Sequence, residues 1–367
     1  MKPRERVLKA FRKLKGLPDR VPVQFELCQP LLDFFSAQLG IPARYTPNLY
    51  EDVTYRISGN EVRTAMGCDV VVTGAGPAKD FVITPDEKGF WRNEYGMVMK
   101  QGPIYVEPVE FSLAYAQTAA DVEAYPFPDP HAAGRFEDAG QLVNQYQNDY
   151  FIIGDIEVTI LTLAQMLVGT EKLFLDMALK SEYVQPLFQK CTEFQIEVGL
   201  ELINRGVDAI WVGDDFGSQQ GLLFSPRMFR EQLRPHYERM IKIFKKANPN
   251  LVPILHTDGA VSTLLKDIHE IGFEVFNPVQ PDVPGHSPQA LKDAFGEQFA
   301  FWGAIDQLYM LPRGSDAELE SDIQEKIRIL GKNGGYMISP AHIIQRDVPP
   351  ERVEKFIELC IQYGSYK

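Results

Sequence analysis

The chain has 367 residues, of which 45% are hydrophobic and 24% are charged, and its formal net charge is −13 at pH 7. A chain of this length and apolar content can form a sizeable core in one large domain or two medium ones, which excludes a disordered or fibrous protein. The acidic excess, with no basic stripe interleaved with aromatic side chains, argues against a nucleic-acid or anionic-membrane partner.

The sequence also indicates a compartment. Residues 1–16 are basic and periodic rather than apolar, and no segment approaches the roughly 20 apolar residues that span a bilayer. We therefore expect a cytoplasmic protein. The cysteines lie far apart, without a CxxC pair, at Cys28, Cys68, Cys191 and Cys360. This spacing favours reduced packing residues over a disulfide framework or a thiolate zinc knuckle.

Short apolar runs rich in Val, Ile, Phe and Tyr recur along the chain, bounded by Gly, Pro or Asp. The runs occupy residues 21–27, 69–74, 150–157, 207–215, 251–258, 273–280, 299–306 and 335–342. The segments between the last five runs have a helical pattern, as parallel strands joined by crossover helices require. Eight strands alternating with helices predict an α/β fold of the (β/α)8 TIM-barrel type. A doubly wound sheet is the main alternative, but no Gly-rich phosphate loop follows the first run.

We interpret residues 1–367 as one barrel domain, with residues 75–149 inserted between the second and third strands. Within that insertion, two alternating stretches of residues 81–100 flank the sequence Pro-Asp-Glu-Lys-Gly, which predicts a β-hairpin near the barrel mouth. The clearest helix is predicted to begin at the N-cap Ser225. Its buried face would carry Phe229, Leu233, Tyr237, Met240 and Phe244.

Polar side chains collect at the ends of most runs, where TIM barrels carry their active sites. These residues are Glu26, Asp155, Glu157, Asp214, Asp215, His256, Asp258, Asn277, Gln280, Asp306, Gln307 and His342. Any single Asp or Asn could instead form a turn or cap the following helix. Two of the six histidines lie at strand ends, which turn formation explains less well.

One pair of these residues has a spacing that suits a metal ion. His256 and Asp258 are two positions apart, so on a strand their side chains would leave the same face about 6.5 Å apart. With His342 arriving from the eighth strand, they would form an open three-ligand site of the kind that holds catalytic zinc or iron. A structural or acid–base role for the same residues is the alternative. Gly259 would permit a tight turn beside them.

Five segments of the C-terminal half carry a family resemblance. They are GDDFGSQQGLLFSPRMFREQLRPHY (213–237), HTDG (256–259), FNPVQP (276–281), FWGAIDQLYMLPRGS (301–315) and SPAHIIQRDVPPERV (339–353). In sequence and spacing they resemble the uroporphyrinogen decarboxylase superfamily, which includes that decarboxylase and zinc-dependent methyltransferases of corrinoid systems. The resemblance implies a (β/α)8 barrel, but it does not choose between the reactions.

The chain departs from both branches of that superfamily. The decarboxylase holds its tetracarboxylate substrate with an arginine-rich segment after the first strand, whereas residues 24–40 here contain no Arg or Lys. The methyltransferases carry a His-x-Cys pair and a further cysteine. Here His256 matches the histidine, Asp258 replaces the first cysteine, and His342 lies near the place of the second. This harder ligand set suits polarising an ether or alcohol oxygen rather than a thiol.

We therefore expect a zinc-dependent methyltransferase that moves a methyl group from a small methylated substrate, such as a methoxylated aromatic, to a separate corrinoid protein. The expected metal ligands are His256, Asp258 and His342. The expected catalytic residues are Asp214, Asp215, Asp306 and His342, and the expected substrate-binding residues are Glu26, Phe216, Gln280 and Trp302.

Two other functions stay open at this point. A decarboxylase of a small carboxylic acid could use His342 and a strand-end aspartate without metal, although uroporphyrinogen itself is disfavoured. A non-catalytic binding barrel is the third hypothesis, and it explains the convergent titratable residues least well. A homodimer is possible.

Overall fold

The central sheet of the protein is parallel. The computed structural model describes residues 1–49, 55–102 and 106–366. Its seven-stranded sheet has the order β1-β5-β6-β7-β8-β9-β10. These strands are β1 (Val70–Gly74), β5 (Phe151–Asp155), β6 (Ala209–Gly213), β7 (Val252–His256), β8 (Val275–Val279), β9 (Ala300–Ile305) and β10 (Tyr336–Pro340). Each corresponds to one of the last seven predicted runs, and every strand residue is buried, as expected for a parallel sheet covered on both faces.

The first predicted strand, residues 21–27, does not form a continuous strand. It makes isolated parallel bridges, of Val23 to Ile338 and of Leu27 to Ile344. Pro22 explains part of the interruption, because it has no N–H to donate and only its carbonyl bonds to β10, accepting from Ile338 N at 3.0 Å. The segment nevertheless lies beside β10 and brings Glu26 to the same end of the sheet as the other strand ends.

A second, antiparallel sheet lies between β1 and β5 in the chain. Its strands are β2 (Phe90–Arg92), β3 (Val98–Gln101) and β4 (Val106–Glu110). The hairpin predicted around residues 85–89 is placed wrongly, because β2 begins only at Phe90 and turns back to β3 over residues 93–97. The Asp86 side chain accepts from the N–H groups of Lys88 and Phe90, so the predicted turn closes on itself. Residues 103–105 of the predicted insertion lie outside the described residues.

Helices separate the strands of the parallel sheet. They are α1 (Pro3–Ala10), α2 (Gln29–Leu39), α3 (Asn60–Ala65), α4 (Ala119–Ala124), α5 (Glu137–Tyr146), α6 (Leu161–Val168), α7 (Thr170–Leu179), α8 (Val184–Arg205), α9 (Pro226–Met228), α10 (Arg234–Ala247), α11 (Leu265–Ile271), α12 (Pro288–Phe295), α13 (Met310–Arg313), α14 (Asp316–Leu330) and α15 (Pro350–Tyr363). In the part of the chain described here, no helix is both long and apolar enough to span a bilayer.

The helix predicted from Ser225 begins there but is interrupted. The Ser225 hydroxyl accepts from Met228 N at 3.2 Å, and α9 then passes into a π-helical turn, Phe229–Leu233, before α10. Pro235 at the start of α10 accounts for this turn, because it cannot donate to the carbonyl four residues earlier. The predicted apolar face is fully or almost fully buried from Phe229 to Phe244.

A candidate metal and substrate site at the strand ends

A cavity opens at the carboxyl ends of the parallel strands. Glu26, Arg56, His256 and His342 line it, together with the indole of Trp211. Trp302 packs against Trp211 with ring centroids 4.5 Å apart and ring planes tilted by 47°, and it is fully buried. Two indoles therefore back a cavity whose other walls are mostly polar.

Strand register fixes the orientation of His256. His256 is the last residue of β7 and lies directly beside Asn277 on β8. Its Nδ1 is 2.7 Å from Asn277 Oδ1. Burial lowers the pKa of His256 to about 3, with the positive charge of Arg56 adding to the effect, so the imidazole is neutral. A neutral ring that donates from Nδ1 to Asn277 keeps the lone pair of Nε2 for a ligand or a proton.

Two aspartates lie beside His256. Asp258 follows β7, and its backbone N–H donates to Asp215 Oδ1 at 2.9 Å. One ligand atom each from Asp215, His256 and Asp258 lies within 4.8 Å of the others. Gly259 permits this arrangement, because its φ is +83° and the backbone of Gly217 lies where a Cβ would be. The structure therefore brings two of the three predicted metal ligands together with a residue predicted to be catalytic.

The electrostatics of this group fit a cation. Burial, together with the negative charge of the neighbouring Asp215, raises the pKa of Asp258 to about 7. Asp258 Oδ1 is buried and has no hydrogen-bond partner among the described residues. Two crowded carboxylates and a neutral imidazole are a ligand set for a divalent ion such as zinc, iron or manganese. His342 lines the cavity but does not belong to this group.

Arg56 also lines the cavity, and three carboxylates surround it. Its guanidinium is 3.5 Å from Glu26 and 3.7 Å from Asp155, and it forms a direct ion pair with Glu157. It also lies over the Trp211 ring, 4.4 Å from the centroid. Gly213 makes room for this arrangement, because a Cβ there would collide with the Glu157 side chain. Arg56 is thus held on all sides by groups of the protein itself.

Two more groups of this region have shifted pKa values. Burial raises the pKa of Asp155 to about 7, although Arg56 opposes the rise. Burial lowers the pKa of His342, and Arg56 lowers it further. Both imidazoles of the cavity are therefore neutral at pH 7, while Asp155 is close to half protonated.

Asp214 and Asp215 are neighbours in sequence but lie in different surroundings. Asp214 is 1% exposed, and its carboxylate accepts from Ile160 N at 2.8 Å, Thr162 N at 2.7 Å and the Tyr237 hydroxyl at 2.5 Å. These bonds cap the first turn of α6 and connect it to α10. Asp214 is not among the residues that line the cavity, so the structure does not bring this predicted catalytic residue together with His256 and Asp258.

Three other predicted residues also make local contacts. The Asp306 carboxylate accepts from the backbone N–H groups of Leu308, Tyr309 and Met310 at the start of α13. Phe216 is 1% exposed and packs among Phe224, Phe229 and Tyr237 rather than in the cavity wall. Gln280 accepts from Gly259 N at 2.6 Å and supports the turn after Asp258.

The last two predicted binding residues lie at the cavity. Glu26 lines it directly, and Gln24 Nε2 lies 3.3 Å from its carboxylate. Trp302 donates from Nε1 to Gln24 Oε1 at 3.2 Å. Trp302 therefore supports the cavity from behind rather than facing a ligand.

Sequence reasoning missed Arg56 and Trp211 and gave Asn277 no role. Arg56 lies in a loop outside every predicted strand, so nothing local indicates that it reaches the cavity. Trp211 lies inside an apolar run, where one more aromatic residue does not stand out. Strand register is the signal that could have identified it, because Trp211 pairs with Asp155 on β5, which lies at the same end of the sheet.

Known proteins resemble the chain in sequence and in fold. The family model described as "Uroporphyrinogen decarboxylase (URO-D)" matches residues 94–363. A uroporphyrinogen decarboxylase from Thermus thermophilus is 26% identical over 180 residues, which are 49% of this chain and 48% of the relative. The methylcobamide:CoM methyltransferase MtaA from Methanosarcina barkeri is 29% identical over 126 residues, 34% of this chain and 35% of the relative. The chain thus spans half or less of the length of these curated relatives.

A solved structure of a methyltransferase from Methanosarcina mazei aligns over 99% of both chains, with a TM-score of 0.70 and 18% identity. At this identity the likeness concerns the fold alone. The family match covers well over half of the residues, including every strand of the parallel sheet after β1 and every residue of the Asp215, His256 and Asp258 group. The chain therefore belongs to the uroporphyrinogen decarboxylase (URO-D) family.

Proposed function

We propose that the protein is a metal-dependent methyltransferase, which transfers a methyl group from a small methylated substrate to a corrinoid carried by a separate protein. The observation that carries this proposal is the group of Asp215, His256 and Asp258, with Asn277 orienting the imidazole. The similarity to a methylcobamide:CoM methyltransferase supports the same reaction class. We also propose that residues 21–27 close the sheet as the eighth strand of a (β/α)8 barrel.

In this proposal Asp215, His256 and Asp258 hold the metal, and His342 leaves the predicted ligand set. When bound, zinc supplies a Lewis acid that favours departure of an oxygen leaving group. Asn277 orients the His256 ring through Nδ1 and keeps Nε2 unprotonated, so the Nε2 lone pair stays available to a metal. The neutral His342 lines the cavity and offers its imidazole as a hydrogen-bond partner for the substrate. In the transfer a carbon–oxygen bond breaks, a carbon–cobalt bond forms on the partner, and the oxygen takes up a proton.

The lining of the cavity supports a small substrate with an apolar part. The indoles of Trp211 and Trp302 exclude water from one side, which would favour an apolar methyl-bearing part of the ligand. The carboxylates that already surround Arg56 disfavour a tetracarboxylate porphyrinogen.

The decarboxylase relatives make carboxy-lyase activity on a small acid the second candidate. The observation that favours it is Asp155, whose pKa of about 7 would let it donate a proton at neutral pH. A decarboxylase of this kind would release carbon dioxide from a candidate acid whether or not a chelator is present.

The deciding experiment measures methyl transfer to free cob(I)alamin, with zinc present, from a panel of small methyl ethers. We expect the methylcobalamin absorption spectrum to appear with at least one ether and to be lost after chelation or in His256→Ala. His131→Ala is the matched control, because His131 is an exposed imidazole paired with Glu197 and Glu201. Transfer that continues unchanged in His256→Ala would contradict the proposal.

A further inference from the structure

Resting on the proposed function, we infer that the site selects a substrate that is uncharged or positively charged at its non-methyl end and rejects carboxylate-bearing analogues. Arg56 is the cavity residue that would ordinarily attract a carboxylate. Here it lies within ion-pair distance of Glu26, Asp155 and Glu157. It therefore neutralises the protein's own acids rather than the ligand's.

Geometry holds Arg56 in that role. Its guanidinium is stacked on Trp211, which fixes one face. The carboxylates occupy the edges, and the Arg56 side chain is only 16% exposed. An incoming carboxylate would have to displace Glu157 or Glu26 from its ion pair with Arg56. The displaced carboxylate would remain close to the ligand and repel it.

The balance of charge points the same way. Asp215 and Asp258 together offset the two positive charges of a divalent ion. Around Arg56, Glu26, Asp155 and Glu157 face a single guanidinium. Even with Asp155 protonated, one negative charge is left over in the region. A few ångström from an incoming anion, such a charge repels it.

A matched set of three small methyl ethers tests this inference by binding alone. 2-Methoxyethanol, 2-methoxyethylammonium and methoxyacetate share the methoxy end and differ in charge at the other end. Binding is followed by quenching of tryptophan fluorescence in the purified, zinc-loaded protein carrying Trp91→Phe, so that the charges of Asp215 and Asp258 are offset. This substitution removes the one of the three tryptophans that lies in the antiparallel sheet and leaves Trp211 and Trp302 as reporters. We expect methoxyacetate to bind roughly tenfold or more weakly than the other two.

Releasing Arg56 should reverse the selectivity. Glu157→Gln removes its direct partner, and we expect methoxyacetate affinity to rise roughly tenfold while 2-methoxyethanol affinity changes little. Glu201→Gln is the matched control, because Glu201 pairs with Arg205, whose guanidinium lies 4.6 Å from the Phe136 ring centroid. If Glu157→Gln folds poorly, Asp155→Asn is a second variant that removes an ion-pair partner of Arg56.

The outcomes separate this inference from the proposed function. Tighter binding of methoxyacetate in the unsubstituted cavity, equal binding of all three ligands, or quenching by none of them would overturn the inference. Methyl transfer that fails while the charge selectivity holds would count against the methyltransferase proposal alone. Methyl transfer from an anionic ether, stopped by His256→Ala, would leave the methyltransferase standing and remove the charge selectivity.

Discussion

Around Arg56 a single guanidinium is shared by three carboxylates, whereas beside His256 two aspartates crowd together without an ion pair among the described residues. The first group, which we call the first wall, satisfies the charge of Arg56 within the protein. The second wall, formed by Asp215, His256 and Asp258, has a buried carboxylate oxygen, Asp258 Oδ1, with no hydrogen-bond partner among the described residues. A ligand stabilises a site most where the protein has left charge uncompensated, so we assign stability to the first wall and metal binding to the second.

The largest expected effect comes from removing the cation of the first wall. Arg56→Gln leaves three carboxylates facing one another, and we expect the free energy of unfolding at pH 8 to fall by about 3–5 kcal/mol. The loss should shrink toward pH 5, where Asp155 takes up its proton. Urea denaturation of the purified variant measures it.

Arg44→Gln is the control for this change. Arg44 pairs with Asp138 across the surface, with the two side chains 48% and 44% exposed. Exposed pairs contribute less than about 1 kcal/mol. Equal losses in the two variants would show that the Arg56 wall is not charge-compensated in the way we describe.

A second prediction concerns the pH dependence of stability. The pKa of Asp155 rises from 3.8 to about 7 on folding, so the native state binds more protons than the unfolded state between these pH values. Its contribution to stability is present at low pH and is lost as the pH rises toward 7. Asp155→Asn removes this dependence while keeping an oxygen that can accept from Glu157 N.

We expect the stability of Asp155→Asn, relative to the wild type, to increase by about 2–4 kcal/mol between pH 4 and pH 8, since one pKa unit is worth about 1.4 kcal/mol. Denaturation curves at several pH values measure the difference. Parallel pH profiles for the two proteins would contradict the raised pKa.

The first two predictions involve residues whose roles the sequence does not reveal. The strands of the parallel sheet were predictable, because a buried parallel strand appears as an apolar run ending in a polar residue. Seven of the predicted runs became strands, and residues 21–27 did not. Arg56 was not predictable, because its place depends on how its loop folds over the strand ends. Only long-range contacts bring it to Glu26 and Glu157.

Asp214 and Asp215 show the same limit of prediction from sequence, because long-range contacts decide where each side chain lies. His256 and Asp258 were predictable because a spacing of two on a strand puts side chains on one face. The sequence could not separate Asp214 from Asp215, since either could turn toward the cavity. Hydrogen bonds from Ile160, Thr162 and Tyr237 hold Asp214 elsewhere, and these depend on where α6 and α10 pack.

The third prediction tests the second wall directly. We expect Asp258→Ala to weaken zinc binding roughly 100-fold, because a site with three protein ligands loses one of its two anions. Competition with a chromophoric chelator measures the affinity. Asp306→Ala is the matched control, since Asp306 also follows a strand but only caps α13. A similar loss in both variants would show that Asp258 is not a ligand.

The smallest expected effect concerns Asn277, which touches the metal site only through His256. Without the Asn277 acceptor the imidazole can protonate Nε2 instead of Nδ1, which would occupy the lone pair that a metal needs. Orienting residues of this kind are worth about 10- to 100-fold in metal affinity, so we expect Asn277→Ala to weaken zinc binding by about tenfold and Asn277→Asp to restore it. The ¹⁵N chemical shifts of the His256 ring report its tautomer in the metal-free protein.

Asn60→Ala is the control, because Asn60 is about as buried as Asn277, with 3% against 4% of its surface exposed, and its side chain donates to the backbone carbonyls of Ile57 and Val72. A change in zinc affinity without a change in tautomer would show that Asn277 acts by packing alone.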